Sequence, residues 1–137
     1  MKLLLFFAEN FSYRPFKKVL DQAPPQDEEG SSFNDSVVVF FQFEAEDQTK
    51  GPELIRKVIK NIKWICGKFG TKQVVFHSFN HLSSSKAPPE FAPPKIREIR
   101  ERLERSGYLT SETPYGYLNE WSIHVRGESL AKVFKEL

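Results

Sequence analysis

Two apolar runs joined by one amphipathic helix constrain this chain more than any other feature. Val37-Val38-Val39-Phe40-Phe41-Gln42-Phe43-Glu44 is β-branched and aromatic, the composition of a strand, and its far end turns polar at Glu44. Gly51-Pro52 then opens a helix, with proline near the first turn, where a missing N–H costs little. Leu54, Ile55, Val58, Ile59, Ile62 and Ile65 recur at three- and four-residue steps and define a single apolar stripe. Burying each such side chain contributes roughly 1.5–3 kcal/mol before ordering entropy is subtracted. Gly70 ends the helix and Lys72–Ser78 returns as a strand, which completes a strand-helix-strand unit. Lys57, Lys60, Lys63 and Lys68 fall on the other faces of the helix and are read as solvated.

The rest of the chain is arranged around that unit. Lys2-Leu3-Leu4-Leu5-Phe6-Phe7-Ala8 is a continuous apolar run, expected to be a central strand covered on both faces. Gln22 to Ser36 is loop by composition. The proline-rich stretch Ala87–Pro94 leads stiffly into a second helix with the stripe Ile96, Ile99 and Leu103, stopped by Gly107. Its exposed face interleaves Arg97, Arg100, Arg102 and Arg105 with Glu98, Glu101 and Glu104, the pattern of helical ion pairs. Tyr117–Val125 is the last expected strand, followed through Gly127 by a short terminal helix holding Leu130, Val133 and Phe134.

A length of 137 residues suits one domain, residues 1–137, able to bury a core without disulfides or metal. With 39% hydrophobic and 28% charged residues the chain is globular rather than disordered, and its thirteen Phe point to an aromatic core. Cys66 is the sole cysteine, so no internal disulfide forms and a reducing compartment is favoured. The apolar Met1–Ala8 is too short to cross a bilayer and lacks a small-residue cleavage site, so a cytoplasmic protein with no membrane partner is expected. A net charge of +2 neither supports nor excludes a nucleic-acid partner.

Two stretches carry the chemistry. Val75-Phe76-His77-Ser78-Phe79-Asn80-His81-Leu82-Ser83-Ser84 is an apolar strand that ends in an imidazole, a carboxamide and hydroxyls, groups that hold a polar ligand or position a water. Thr113-Pro114-Tyr115-Gly116-Tyr117-Leu118-Asn119 is an aromatic turn feeding the last strand. His77, His81, His124 and Cys66 lack the paired spacing of zinc ligands, and Ser83-Ser84-Ser85-Lys86 lacks the glycine framework of a phosphate loop. Neither a metal nor another cofactor is expected. His77 and His124 are read as strand residues.

Together these stretches resemble the archaeal-type editing domain of threonyl-tRNA synthetase, with order and spacing in agreement from Lys2–Ala8 to Leu130. The resemblance implies an α/β fold, a twisted β-sheet with helices packed mainly on one side, of the D-aminoacyl-tRNA deacylase-like type. It also implies hydrolysis of serine wrongly attached to threonine tRNA, with the terminal ribose 2′-hydroxyl helping to activate the water and the protein supplying position and electrostatics. The family's Pro-Phe-Ala-His motif reads here Ser78-Phe79-Asn80-His81, which matches at Phe79 and His81 and is more polar at the other two positions. Tyr115-Gly116-Tyr117 matches aromatic-Gly-Tyr, but the Tyr-Lys that follows in the family is Leu118-Asn119 here. The family's glutamate aligns with Lys132, so either the positive charge enters the pocket from the other wall or the site has decayed.

On this resemblance His81, Asn119 and Lys132 are the expected catalytic residues, and Glu44, Ser78, Phe79, Asn80, Tyr115, Gly116, Tyr117 and Leu118 the substrate-binding set. The expected partners are the aminoacylated 3′ end of tRNA, held by Tyr115, Tyr117, Lys86 and Lys95, a second copy of the chain, and a threonyl-tRNA synthetase catalytic chain. Two other readings stand beside the hydrolase: a tRNA-binding or dimerisation module of the same fold without turnover, and a binder of a free amino acid. The hydrolase reading requires that the neighbouring strand ends carrying His81 and Asn119 converge on one hollow.

Overall fold

The N-terminal apolar run builds a strand much longer than its seven residues: in the computed structural model, which describes residues 1–137, β1 spans Lys2–Lys18. It continues because Phe11 and Tyr13 keep an alternating apolar face, and Pro15 is accommodated where the pairing shifts by a bulge between Pro15 and Lys17. β2 (Ser31–Gln42) runs antiparallel to β1, α1 (Pro52–Phe69) crosses over, and β3 (Gln73–Ser78) lies parallel to β2. α2 (Ala92–Arg105) then leads to β4 (Leu109–Glu112), parallel to β3, and β5 (Tyr117–Val125) pairs antiparallel with the distal part of β1. The sheet order is β4-β3-β2-β1-β5.

The C-terminal segment differs from expectation. Only a 3₁₀ turn, Ser129–Ala131, precedes β6 (Lys132–Glu136), so Val133 and Phe134 lie on a strand and not on a helix. The reason is an open edge: β5 pairs with β1 only from Ala8 onward, and β6 satisfies the backbone groups of Lys2–Phe6 that would otherwise stay unpaired. β4 was not anticipated either, and β2 begins inside the stretch read as loop.

Both helices cover one face of the sheet, as expected. Leu3, Leu5, Phe7, Val39, Phe41, Val74 and Phe76 meet the α1 stripe and Ile96, Ile99 and Leu103 of α2 in one core. The opposite face is covered by the sheet itself. Phe40 pairs with Leu4, and Phe11 stands seven residues further along β1, roughly 23 Å away in a straight strand, yet the Phe11 and Phe40 ring centroids are 6.3 Å apart. The β1–β2 ribbon therefore folds back on itself. Its bend falls between the pairs Ala8–Ser36 and Asn10–Asn34, where Asp35 adopts a left-handed φ of 47°. A second cluster of Ala8, Phe11, Val38, Phe40 and Val75 fills the fold, while Leu4 and Phe6 remain half-buried. The ribbon's far turn closes tightly: at Gly30, with φ 70°, a Cβ would stand 1.9 Å from the Tyr13 carbonyl oxygen.

Candidate functional site

The fold-back carries the start of β5 across to the C-terminal ends of β2 and β3. The Phe40 and Trp121 rings meet edge-on at 5.2 Å, and Trp121 lies 5.8 Å from the His77 ring. Between these strand ends is a cavity of about 530 Å³, within the range of small-molecule sites. The two walls do converge, though β2 and β1 separate β3 from β5 in the sheet, so the strands are not the neighbours the sequence suggested.

Nine of the anticipated residues line this cavity: Ser78, Phe79, Asn80 and His81 from one wall, and Tyr115, Gly116, Tyr117, Leu118 and Asn119 from the other. Asn80 and His81 are exposed at its rim, with the His81 ring set edge-on to Phe79 at 5.2 Å. The tyrosine hydroxyls are committed to the scaffold: Tyr115 donates to the Pro89 carbonyl and Tyr117 to the Pro24 carbonyl, each at 2.7 Å. These bonds tie both proline-rich connections to the cavity wall, and burial raises the Tyr115 pKa, with Glu112 and Glu90 adding to the effect. Gly116 has φ 86°, and a Cβ there would lie 2.8 Å from the Ala23 Cβ, so the turn needs glycine on both counts. Asn119 donates weakly to the Pro114 and Tyr117 carbonyls at 3.5 and 3.4 Å. Its Oδ1 is the one buried side-chain polar atom in the protein with no partner.

Two anticipated residues are elsewhere. Lys132 is exposed on β6, and its ammonium donates to the Arg126 carbonyl at 2.7 Å and to the Glu128 carbonyl at 3.4 Å. Arg126 follows the far end of β5 from Asn119, roughly 20 Å of strand away, so no positive charge enters the cavity from this lysine. Glu44 is buried beside the cavity, not on it, and its carboxylate is already satisfied. It accepts from the Met1 ammonium at 2.8 Å, Lys2 at 3.2 Å and Ser83 Oγ at 2.6 Å. Desolvation works against its ionisation, but these donors outweigh it and hold the Glu44 pKa at about 2. Asp47 shares the ammonium at 2.8 Å, so this ion cluster is an anchor for the chain start against the end of β2. Of the two lysines expected at tRNA, Lys86 lines the cavity, whereas Lys95 lies over the Phe91 ring.

Sequence reasoning missed three residues. Trp121 forms part of the β5 wall. Gln42, 2% exposed, receives the Leu82 and Ser83 N–H groups on Oε1 and donates to the Ser83 and Ser85 carbonyls, all at 2.9 Å, which shapes the loop after His81. His77 is a strand residue as expected, but it also lines the cavity, 3% exposed among Phe11, Phe40, Phe79 and Trp121. An imidazole within an otherwise apolar strand was the available signal. No group of three or more His, Cys, Asp or Glu side chains is arranged to hold a metal ion. No helix is long and apolar enough to cross a membrane.

The cavity and its walls can be set beside known proteins. The family model described as the archaea-specific editing domain of threonyl-tRNA synthetase matches residues 1–137. Threonine–tRNA ligase of Thermococcus kodakarensis is 29% identical over 139 residues, covering 100% of this chain and 22% of the relative. The Pyrococcus horikoshii enzyme of the same name is 26% identical with the same coverage. The chain thus spans about a fifth of the length of the curated relatives it matches. Among solved structures, the c-Myc DNA unwinding element binding protein superposes with a TM-score of 0.67 at 16% identity, covering 100% of this chain and 99% of that one. At that identity the likeness concerns the fold, which is of the D-aminoacyl-tRNA deacylase-like type.

Proposed function

The chain belongs to the family of archaea-specific editing domains of threonyl-tRNA synthetase, and on that premise we propose that it hydrolyses the ester of serine wrongly attached to threonine tRNA. The observation that carries this reading is the one cavity between the Ser78–His81 and Tyr115–Asn119 walls, with Asn119, whose buried Oδ1 has no partner, in the second wall. An aminoacyl group offers a matching donor in its α-ammonium; a turn of the Asn119 carboxamide, opposed only by the two long Nδ2 contacts, brings Oδ1 to it and removes the cost of an unsatisfied buried acceptor.

In the reaction a water attacks the ester carbonyl, the carbonyl electrons move onto oxygen, and collapse of the tetrahedral adduct expels the ribose oxygen, which takes up a proton. Asn119 holds the ammonium end of the acyl group, so the ester lies toward the rim. There His81 orients the attacking water, and the ribose 2′-hydroxyl assists its deprotonation. Ser78, Phe79, Asn80, Tyr115, Gly116, Tyr117 and Leu118 bound the space for the terminal adenosine and its acyl group. Lys86 at the edge is placed for an adjoining phosphate.

The same reading assigns the protein to translation in the cytoplasm, acting with a threonyl-tRNA synthetase catalytic chain and with a second copy of itself. The half-buried Leu4 and Phe6, beside the half-exposed Phe134 that pairs with Leu4, are an apolar surface suited to a second copy.

The test is a deacylation assay with Ser-tRNA(Thr) and Thr-tRNA(Thr). Faster release of serine than of threonine supports the proposal, and equal background release from both rejects it. Tight tRNA binding without turnover would select the noncatalytic module of the same fold instead.

A further inference from the structure

One buried polar group that lines the cavity has no part in the reading above. His77 is 3% exposed, its ring lies 4.8 Å from that of Phe40 and 5.8 Å from that of Trp121, and it faces the cavity. One ring nitrogen is accounted for: Nδ1 stands 2.9 Å from Thr113 Oγ1. Either tautomer satisfies that pair, with Nδ1–H donating to Oγ1 or the hydroxyl donating to Nδ1. Nε2 is the ring's free nitrogen in both. It has no protein partner, and it is not sealed off as Asn119 Oδ1 is, so it remains reachable from the cavity.

We infer that His77 is a specificity-determining residue which reads the side-chain hydroxyl of the acyl group, its Nε2 hydrogen-bonded to the β-hydroxyl of a seryl ester, a group able to donate or accept as the ring requires. This inference rests on the editing reading above and adds to it the group that recognises the amino acid. Three physical points select a hydroxyl over other ligands. Burial holds the His77 pKa down to about 4, so the ring is neutral at physiological pH and meets a hydroxyl as one uncharged polar group meets another. Phe79 and Trp121, which line the cavity beside the His77 ring, make that part of it a poor place for a desolvated ammonium, which Asn119 takes instead. A substrate with no hydroxyl leaves Nε2 desolvated and unpaired, and a site built to bond a hydroxyl rejects the analogue that lacks one. Threonine carries the same hydroxyl, so this contact reads the hydroxyl and leaves exclusion of the extra methyl to the aromatic walls.

Calorimetric titration with two nonhydrolysable amide analogues, 3′-seryl-amino-adenosine and 3′-alanyl-amino-adenosine, tests this directly. The wild-type protein is expected to bind the seryl compound about tenfold more tightly than the alanyl one, the scale of one hydrogen bond to a buried polar group. His77→Phe should abolish the difference by weakening the seryl compound alone, and His77→Gln, which restores an acceptor, should recover part of it. On the wild-type protein the ¹⁵N resonance of His77 Nε2 should move on adding the seryl analogue and stay in place with the alanyl one, a readout that survives if a variant fails to fold. Equal affinity for both analogues, an unchanged preference in a folded His77→Phe, or an unmoved Nε2 resonance overturns the inference while leaving the editing reading intact. Failure of the wild type to bind either analogue overturns both.

Discussion

Gln42 and Ser83 are joined twice: the Gln42 carboxamide accepts from the Ser83 N–H and donates to the Ser83 carbonyl, both at 2.9 Å. With the Leu82 N–H and the Ser85 carbonyl also bound, one side chain at the end of β2 satisfies four backbone groups of the loop that follows His81. Gln42→Leu, which keeps the bulk and removes every one of these bonds, is expected to cost about 2–3 kcal/mol in urea unfolding. Amide exchange should rise first at residues 80–86.

Stability at acid pH is expected to follow Glu44. Its folded pKa of about 2 lies below the ordinary carboxylate value of 4.5, so the unfolded state binds more protons between those values. The contribution is fully present above pH 4.5 and is lost as pH falls toward 2, roughly 1–3 kcal/mol in all. Glu44→Gln should flatten the stability profile over that window, which thermal melts at successive pH values will measure.

Asp35 is the non-glycine residue with positive φ, at the bend of the ribbon. Asp35→Gly should be neutral or stabilising, and Asp35→Val should destabilise by about 1–2 kcal/mol because a β-branched residue resists that conformation. A denaturation series with both variants checks the sign and the order.

By the resemblance of the turn Tyr115–Asn119, Asn119 falls at the family's lysine position. Asn119→Ala, which removes the acceptor for the substrate ammonium, is expected to lower the deacylation rate of Ser-tRNA(Thr) about tenfold, and Asn119→Lys to lower it further by setting a second cation against that ammonium. Lys132→Ala should leave the rate unchanged, since its ammonium is spent on backbone carbonyls at the far end of β5. Single-turnover assays of the three variants separate these outcomes.

Gly116→Ala should weaken both folding and substrate binding. Its Cβ would press on Ala23 and Leu20 at a φ of 86°, a cost of about 1–2 kcal/mol. A loss in kcat/KM larger than the loss in stability at the assay temperature would mark the change as acting on the cavity wall.

The local elements were readable because their signals are local. The α1 stripe with Gly51-Pro52 before it and Gly70 after it, and β5 at Tyr117–Val125, stand where periodicity and turn residues put them. Both motif walls were legible for the same reason. What escaped were decisions made by distant partners. β6 is a strand because β1 has an open edge there, which no pattern within Lys132–Glu136 reveals. Glu44 reads as a polar strand end suited to a ligand, yet the Met1 ammonium, remote in sequence, occupies it. His77 reads as an ordinary strand residue until Trp121 and the cavity are set against it.

The bend at Asp35 makes the cavity a property of how two halves of one ribbon are held together, not of either half alone. Opening that crease by a modest angle would part Trp121 from Phe40 and leave the helix-backed layer whole. Whatever the hollow takes up is therefore gripped only while the crease stays shut, and the buried packing of Phe11 on Phe40 is what keeps it so.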